Sequence, residues 1–267
     1  MSSAPFVADD RGAVLVMDGA TAVGRATAEA FARHGARLVL SGKFDRAERA
    51  AMERRLGELG PSQPLFIDAD EDQGGPDALF TAIGARCGPV YAVIGSALPV
   101  STPAEIHTIE DYDEGAFVAA LRAAAWPLVD YTRAAKRHLG CYPRYVVALT
   151  SQPSDRFTPG HDFAACAEAA TETLVRYLAY RLRDEGVRVN AVRSQIVRAG
   201  RQTVGTVAGI GQSEQATATR PMQDVANAVL ALCSGMFDGM TGQVLTVDRG
   251  DGFVDGISLA FEREASG

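Results

Sequence analysis

Short apolar runs alternate along the chain with longer Ala-rich stretches in which apolar residues recur at helical spacing. The short runs are Ala13–Met17, Arg37–Leu40, Leu65–Ile67, Val90–Ile94, Arg144–Leu149, Val187–Val192 and Gln243–Val247. Most are apolar on successive residues, the pattern of strands covered on both faces. Between them, Gly24–His34, Arg46–Leu59, Pro76–Cys87, Tyr112–Leu139, His161–Glu185 and Pro221–Ser234 read as helices. Gly35 suits the left-handed end of a helix, Gly60-Pro61 and Gly186 end two more, and Pro76 stands where one would open. Pro127 predicts a kink in the long fourth helix, because its ring clashes with the preceding turn. Residues 193–220 are rich in Gly, Thr, Gln and Arg without periodicity and predict a flexible covering loop. Strand–helix alternation predicts an α/β fold, a Rossmann-like doubly wound parallel sheet of about seven strands with helices on both faces. We read residues 1–267 as a single domain.

Composition narrows the functional classes. A formal charge of −7 gives no net attraction for a phosphate backbone, and no Lys/Arg cluster stands out, so nucleic acid is not expected as a partner. No apolar run approaches the roughly 20 residues that span a bilayer, and the amino terminus has no signal-peptide pattern. The expected setting is therefore cytoplasmic, with no membrane partner. Cys87, Cys141, Cys166 and Cys233 lie far apart, which suits neither a zinc site nor a disulfide framework, and no metal is expected.

Candidate chemistry begins after the first strand. Asp18–Ala28 reads DGATAVGRATA, placed where glycines would let a backbone approach a pyrophosphate at a helix start. Gly19 and Gly24 are its candidate contacts, although both can equally serve a tight turn alone. The second strand ends in Ser41-Gly42-Lys43, with no acid for a ribose hydroxyl, and Asp68 follows the third strand. Gly95-Ser96-Ala97-Leu98 follows the fourth. The segment from Val146 to Asn190 places a strand, a turn with Ser151 and a long helix in succession.

In this order the motifs resemble the short-chain dehydrogenase/reductase superfamily, from about Ala13 to Gly250. That superfamily's first loop reads T-G-x-x-x-G-x-G. Here Asp18 aligns with the leading Thr, the middle glycine is missing, and Gly19 to Gly24 is one residue shorter than the superfamily's first-to-last spacing. A negative Asp18 there works against NAD(P). Asp68 matches the adenine-side Asp, and only Ala97 survives from the N-N-A-G after the fourth strand. Counting back from Val189-Asn190-Ala191 puts the tyrosine of Y-x-x-x-K at Ala164, or at Phe163 with a gap, and its lysine at Glu168. The relay asparagine falls at Ala119 or Ala120, and the superfamily's serine at Ser151. The nicotinamide turn P-G-x-x-x-T is replaced over Ser194–Ala199, whereas Asp224–Val229 and Thr241–Asp248 resemble the last helix and strand.

By this resemblance the Ser and Tyr hydroxyls would hold a substrate oxygen while Lys lowers the tyrosine pKa. Ala164 has no proton to give, and Glu168 would raise a neighbouring acid's pKa. The expectation is that this chain has no catalytic residue and binds no cofactor, with Ser151, Gly19, Gly24 and Asp68 as vestiges and Ala164, Glu168 and Ala119 as lost positions. In that superfamily the helices matching 112–139 and 161–185 pair with a second subunit. The chain is thus expected to be a non-catalytic subunit in a hetero-oligomer, a tetramer, with a homologous active subunit. That partner would hold NAD(P) and act on an alcohol or hydroxyacyl-CoA. Its losses are similar to those of the non-catalytic subunit of the two-subunit hydroxyacyl-CoA dehydrogenase of anaerobic toluene degradation.

Two alternatives stay open. One is a pocket repurposed for non-redox chemistry or small-molecule binding around Asp155, His161, Asp162, Cys166 and Glu168. The other is an oxidoreductase with a nonstandard proton donor, Tyr112 or Tyr177. Arg193, Arg198 and Arg201 are read as facing water rather than an anion.

Overall fold

The computed structural model describes residues 12–61, 63–68, 75–96, 106–150, 161–194 and 215–250. Seven strands form one sheet: β1 (Ala13–Val16), β2 (Leu38–Ser41), β3 (Leu65–Ile67), β4 (Val90–Ser96), β5 (Tyr145–Thr150), β6 (Arg188–Arg193) and β7 (Val244–Thr246). Their order is β3-β2-β1-β4-β5-β6-β7 and all neighbours are parallel. The winding direction reverses between β1 and β4, which opens a crevice at the carboxyl ends of these strands.

Side chains on successive strand residues point to opposite faces, so unbroken apolar runs feed two cores at once. Val14 and Val16 pack on one side with Phe31, Leu56 and Val229, while Ala13, Leu15 and Met17 pack on the other with Phe80, Ile83 and Ala135. The helices that cover the sheet are α1 (Ala22–Ala32), α2 (Arg46–Leu59), α3 (Gly75–Arg86), α4 (Glu114–Ala124), α5 (Trp126–Leu139), α6 (Asp162–Arg181) and α7 (Gln215–Leu232). The expected α/β architecture is thus present, with seven parallel strands and helices on both faces.

Most boundaries fall within two residues of those expected, and three elements differ by more. The helix expected over Tyr112–Leu139 is two helices, because Pro127 cannot donate to the preceding turn. The chain ends α4 at Ala124 and restarts at Trp126 with the proline in the first turn, where its missing N–H costs nothing. Gly140, at φ 76°, closes α5. The helix expected over His161–Glu185 ends at Arg181, and a 3-10 turn over Arg183–Glu185 leads into left-handed Gly186. Finally, α7 begins at Gln215, six residues before the Pro221 that reads as a natural helix start. The rest of the expected covering loop falls outside the described residues. None of the described helices is long and apolar enough to cross a membrane.

Candidate functional site at the switch point

The loop from β1 to α1 turns on Asp18, whose φ is 50°, in the left-handed region that glycine adopts freely. Thr21 fixes the turn by donating from both its N–H and its Oγ1 to the Asp18 carbonyl, each at 2.9 Å. Its hydroxyl also accepts from Gly24 N–H at 3.1 Å, capping α1. A Cβ on Gly24 would stand 2.5 Å from the Asp18 carbonyl oxygen, so the backbone needs glycine there for close helix–strand packing. Gly19 is anchored across the sheet by its N–H to Ser41 O at 2.9 Å. The backbone also revises the alignment of the loop. Asp18, not Gly19, adopts the glycine conformation that opens the turn. Measured from Asp18, the distance to Gly24 equals the first-to-last glycine spacing of T-G-x-x-x-G-x-G, so an acid replaces a glycine and no residue is missing.

The Asp18 carboxyl makes no hydrogen bond or ion pair among the described residues, and burial alone pushes its pKa up to about 7. Asp68, after β3, is exposed.

The second half of the site is built by α6 against the ends of β5 and β6. Glu168 is 6% exposed and Glu172, one turn on, is 4% exposed. Residues four apart share a helix face, so both acids point inward. Glu172 Oε1 accepts from Arg193 Nε at 2.7 Å and from Thr150 Oγ1 at 3.1 Å, and Glu172 Oε2 takes a second, short bond from Arg193 Nη2. Arg193 therefore does not face water, as its position near the expected loop suggested. It is folded back onto an acid that sequence reasoning passed over, and the four-residue step from Glu168 was the available signal. Arg198 and Arg201 lie outside the described residues.

Of the two positions for a relay asparagine, Ala120 is fully buried against Phe163 and Ala167, while Ala119 is exposed. Ala120 is therefore the one that faces α6. Ala164 is half-buried near the start of α6. Ser151 and Asp155 lie outside the described residues.

Around the helix start, Tyr112 donates to Asp162 at 2.6 Å and stacks edge-on against Phe163, ring centres 5.4 Å apart. The bond to Asp162 pushes the Tyr112 pKa up, away from what a proton donor working near neutrality needs. Tyr177 is 66% exposed on the outer part of α6, and Cys166 is also exposed. Neither joins the acids. His161, at the cap of α6, is half-buried, with its Nδ1 buried and without a hydrogen-bond partner among the described residues. The structure thus joins Glu172, Arg193 and Thr150 in one buried polar cluster, with Glu168 buried one turn earlier on the same helix face, and leaves Cys166 and Tyr177 exposed.

Comparison with known proteins decides the lineage. Residues 19–251 match the family model described as Enoyl-(Acyl carrier protein) reductase. The chain belongs to the enoyl-(acyl carrier protein) reductase family. The enoyl-(acyl-carrier-protein) reductase (NADH) of Nostoc sp. is 32% identical over 212 residues, covering 76% of this chain and 81% of its own. The 1-cyclohexenylcarbonyl-CoA reductase of Streptomyces collinus is 28% identical over 253 residues, with 91% and 88% covered. Among solved structures, the Bacillus cereus enoyl-acyl carrier protein reductase with NADP+ superposes with a TM-score of 0.71 at 21% identity, covering 91% of this chain and 97% of that one.

Membership of this family supports the resemblance to short-chain dehydrogenases/reductases and narrows it. The matched family takes its name from reductases, whereas the sequence motifs had suggested a hydroxyacyl-CoA dehydrogenase partner. The family match spans the loop from Gly19, the α6 acids and the last strand together, so Glu168 is a feature of an otherwise familiar frame and Asp18 stands immediately before it.

Proposed function

We propose that this chain is a non-catalytic member of the enoyl-(acyl carrier protein) reductase family, a subunit that assembles with a catalytically intact homologue and holds no NAD(P) itself. The observation that carries this reading is Glu168, buried at the position where the resemblance expects lysine. A lysine there would lower a tyrosine's pKa, and a carboxylate opposes the same ionisation. With Ala164 at the tyrosine position, no proton donor accompanies it. Asp18 argues in the same direction from the other end of the crevice, because an acid stands beside the helix start where a diphosphate would lie. The residues at the two ends do not fit a dinucleotide.

The subunit reading draws on the outer faces of α4, α5 and α6. Val118, Trp126, Tyr177 and Tyr180 are 54%, 46%, 66% and 62% exposed there, and Trp126 is the only tryptophan of the chain. Large aromatic and branched side chains left to water on adjoining helices are the usual anchors of a protein interface. The expected partner is a chain of the same fold, in a tetramer, with NAD(P) in the partner's crevice. The relatives' names point to acyl thioesters as its substrate class, in line with the hydroxyacyl-CoA expected from the motifs. We place the assembly in the cytoplasm.

A second reading, a pocket repurposed for another ligand, is favoured by one observation, the buried Nδ1 of His161, which has no partner among the described residues. Two measurements separate the readings. Titration of the isolated chain with NADH at pH 8 is expected to give no saturable signal, and stoichiometric micromolar binding would overturn the non-catalytic reading. Native mass spectrometry of the protein from its source is expected to give a mixed assembly with a second chain of similar mass. A homomer carrying a small molecule would favour the repurposed pocket instead.

A further inference from the structure

The structure assigns to Asp18 the exclusion of diphosphates from the β1–α1 loop, a loop whose backbone is otherwise shaped to take one. The inference rests on the reading that this chain holds no NAD(P), and it names the side chain responsible at the diphosphate end.

The loop keeps its shape. Its length from Asp18 to Gly24 is that of the glycine-rich loop it resembles, Gly24 lets α1 approach β1, and Thr21 caps the helix. Thr21 satisfies the N–H of Gly24, while the N–H groups of Ala22 and Val23 make no hydrogen bond among the described residues. Those are the donors that a first helical turn offers to an anion. Two glycines of the pattern are replaced, the middle one by the small, uncharged Ala22 and the first by Asp18, on a residue whose φ of 50° suits glycine, and only Asp18 brings a charge.

Among the described residues, no cation pairs with that side chain. Arg25 on α1, the cation nearest in sequence, is committed to Ala20 O at 2.9 Å and to Glu48 at 2.9 Å. Lys43, after β2, and Asp68, after β3, are both exposed, and the β1 and β4 residues beside the loop, Met17, Ile94 and Gly95, carry no charge. Burial alone raises the carboxyl, to about 7. Above that value an ionised Asp18 repels a diphosphate, and below it the protonated form is neutral. Exclusion should therefore fade as the solution is acidified.

The test is calorimetric titration of the full chain with ADP, which spans the diphosphate end without reaching toward Glu168. Wild type, Asp18→Asn and Asp18→Gly are compared at pH 6 and pH 8. The ratio of variant to wild-type affinity at each pH cancels the titration of ADP itself. If only the protonated form binds, affinity scales with its population, so the ratio is about tenfold at pH 8 and close to one at pH 6. The glycine variant suits the left-handed backbone and guards against misfolding of the asparagine variant. A ratio near one at both pH values, or no ADP binding to either variant, would overturn the assignment. NADH titration run in parallel separates the two claims. Saturable NADH binding by the wild type at pH 8 sinks the non-catalytic reading, whereas the ADP ratio alone decides the role of Asp18.

Discussion

Asp18 combines two costs in one residue, a left-handed backbone and a largely desolvated carboxyl without a partner among the described residues. Its ordinary value is 3.8 and its value in the fold is about 7. The folded chain therefore holds the proton more tightly than the unfolded chain. Linkage then fixes the sign: the contribution to stability is fully present below 3.8 and is lost as pH rises to 7, with no further loss above. Over that window the loss is of order 3 kcal/mol, after allowance for partial solvent contact. Asp18→Asn escapes it. The melting temperatures of variant and wild type should lie close together at pH 4 and separate by roughly 8 °C at pH 8, most of the gap opening before pH 7. Scanning calorimetry across that range checks it. A constant offset at every pH would mean the carboxyl is not buried in the way described.

Between elements, the buried contact that matters most to the crevice is Glu172 of α6 with Arg193 of β6. A bidentate pair at 5% and 21% side-chain exposure is largely out of water, and removing one partner leaves the other charge stranded. Glu172→Ala should cost about 3 kcal/mol, read as a lower urea midpoint with the same slope. A cost under about 1 kcal/mol would mean that Arg193 finds enough compensation elsewhere. This pair also marks where the sequence stops being informative. Ala13–Met17, Val90–Ile94 and Arg144–Leu149 could be read as strands because burial on both faces forces a continuous apolar run. Glu168 could be counted back from the Val189-Asn190-Ala191 anchor, whereas the sequence left Ala119 and Ala120 open and settled on Ala119, and only burial singles out Ala120 as the one facing α6. The partner of Arg193 could not be placed, since a charged residue at a strand end reads the same whether it meets water or an acid 21 residues away. The handedness of Asp18 was hidden for a similar reason. With Gly19 beside it, the glycine was the natural residue for the turn, and only the backbone reveals that the acid holds that position. The break at Ala125 is a third case, where Pro127 signalled a distortion but not whether α4 and α5 would bend or part.

For the molecule as a whole, the question is why a chain would keep this frame after placing Glu168 where lysine is expected. The two cores involve the whole sheet, so the fold does not depend on the crevice being chemically competent. A selected surface would explain its retention, and Trp126 and Tyr177 offer the means to test one. Both side chains are substantially exposed, so charging them removes little from either core. Trp126→Asp with Tyr177→Asp should therefore shift the melting temperature of the isolated chain by no more than about 2 °C. In an assembly through α4, α5 and α6 the same charges would have to be desolvated against a partner, which costs far more than at a free surface. Expressed in its source in place of the wild type, the double variant should be found as the free chain by native mass spectrometry, and the reductase or dehydrogenase activity expected to copurify with the wild type should be absent from its fractions. If the assembly survives both charges unchanged, these helices do not form the interface, and the exposed Met236 and Phe237 on the segment before β7 become the next surface to charge.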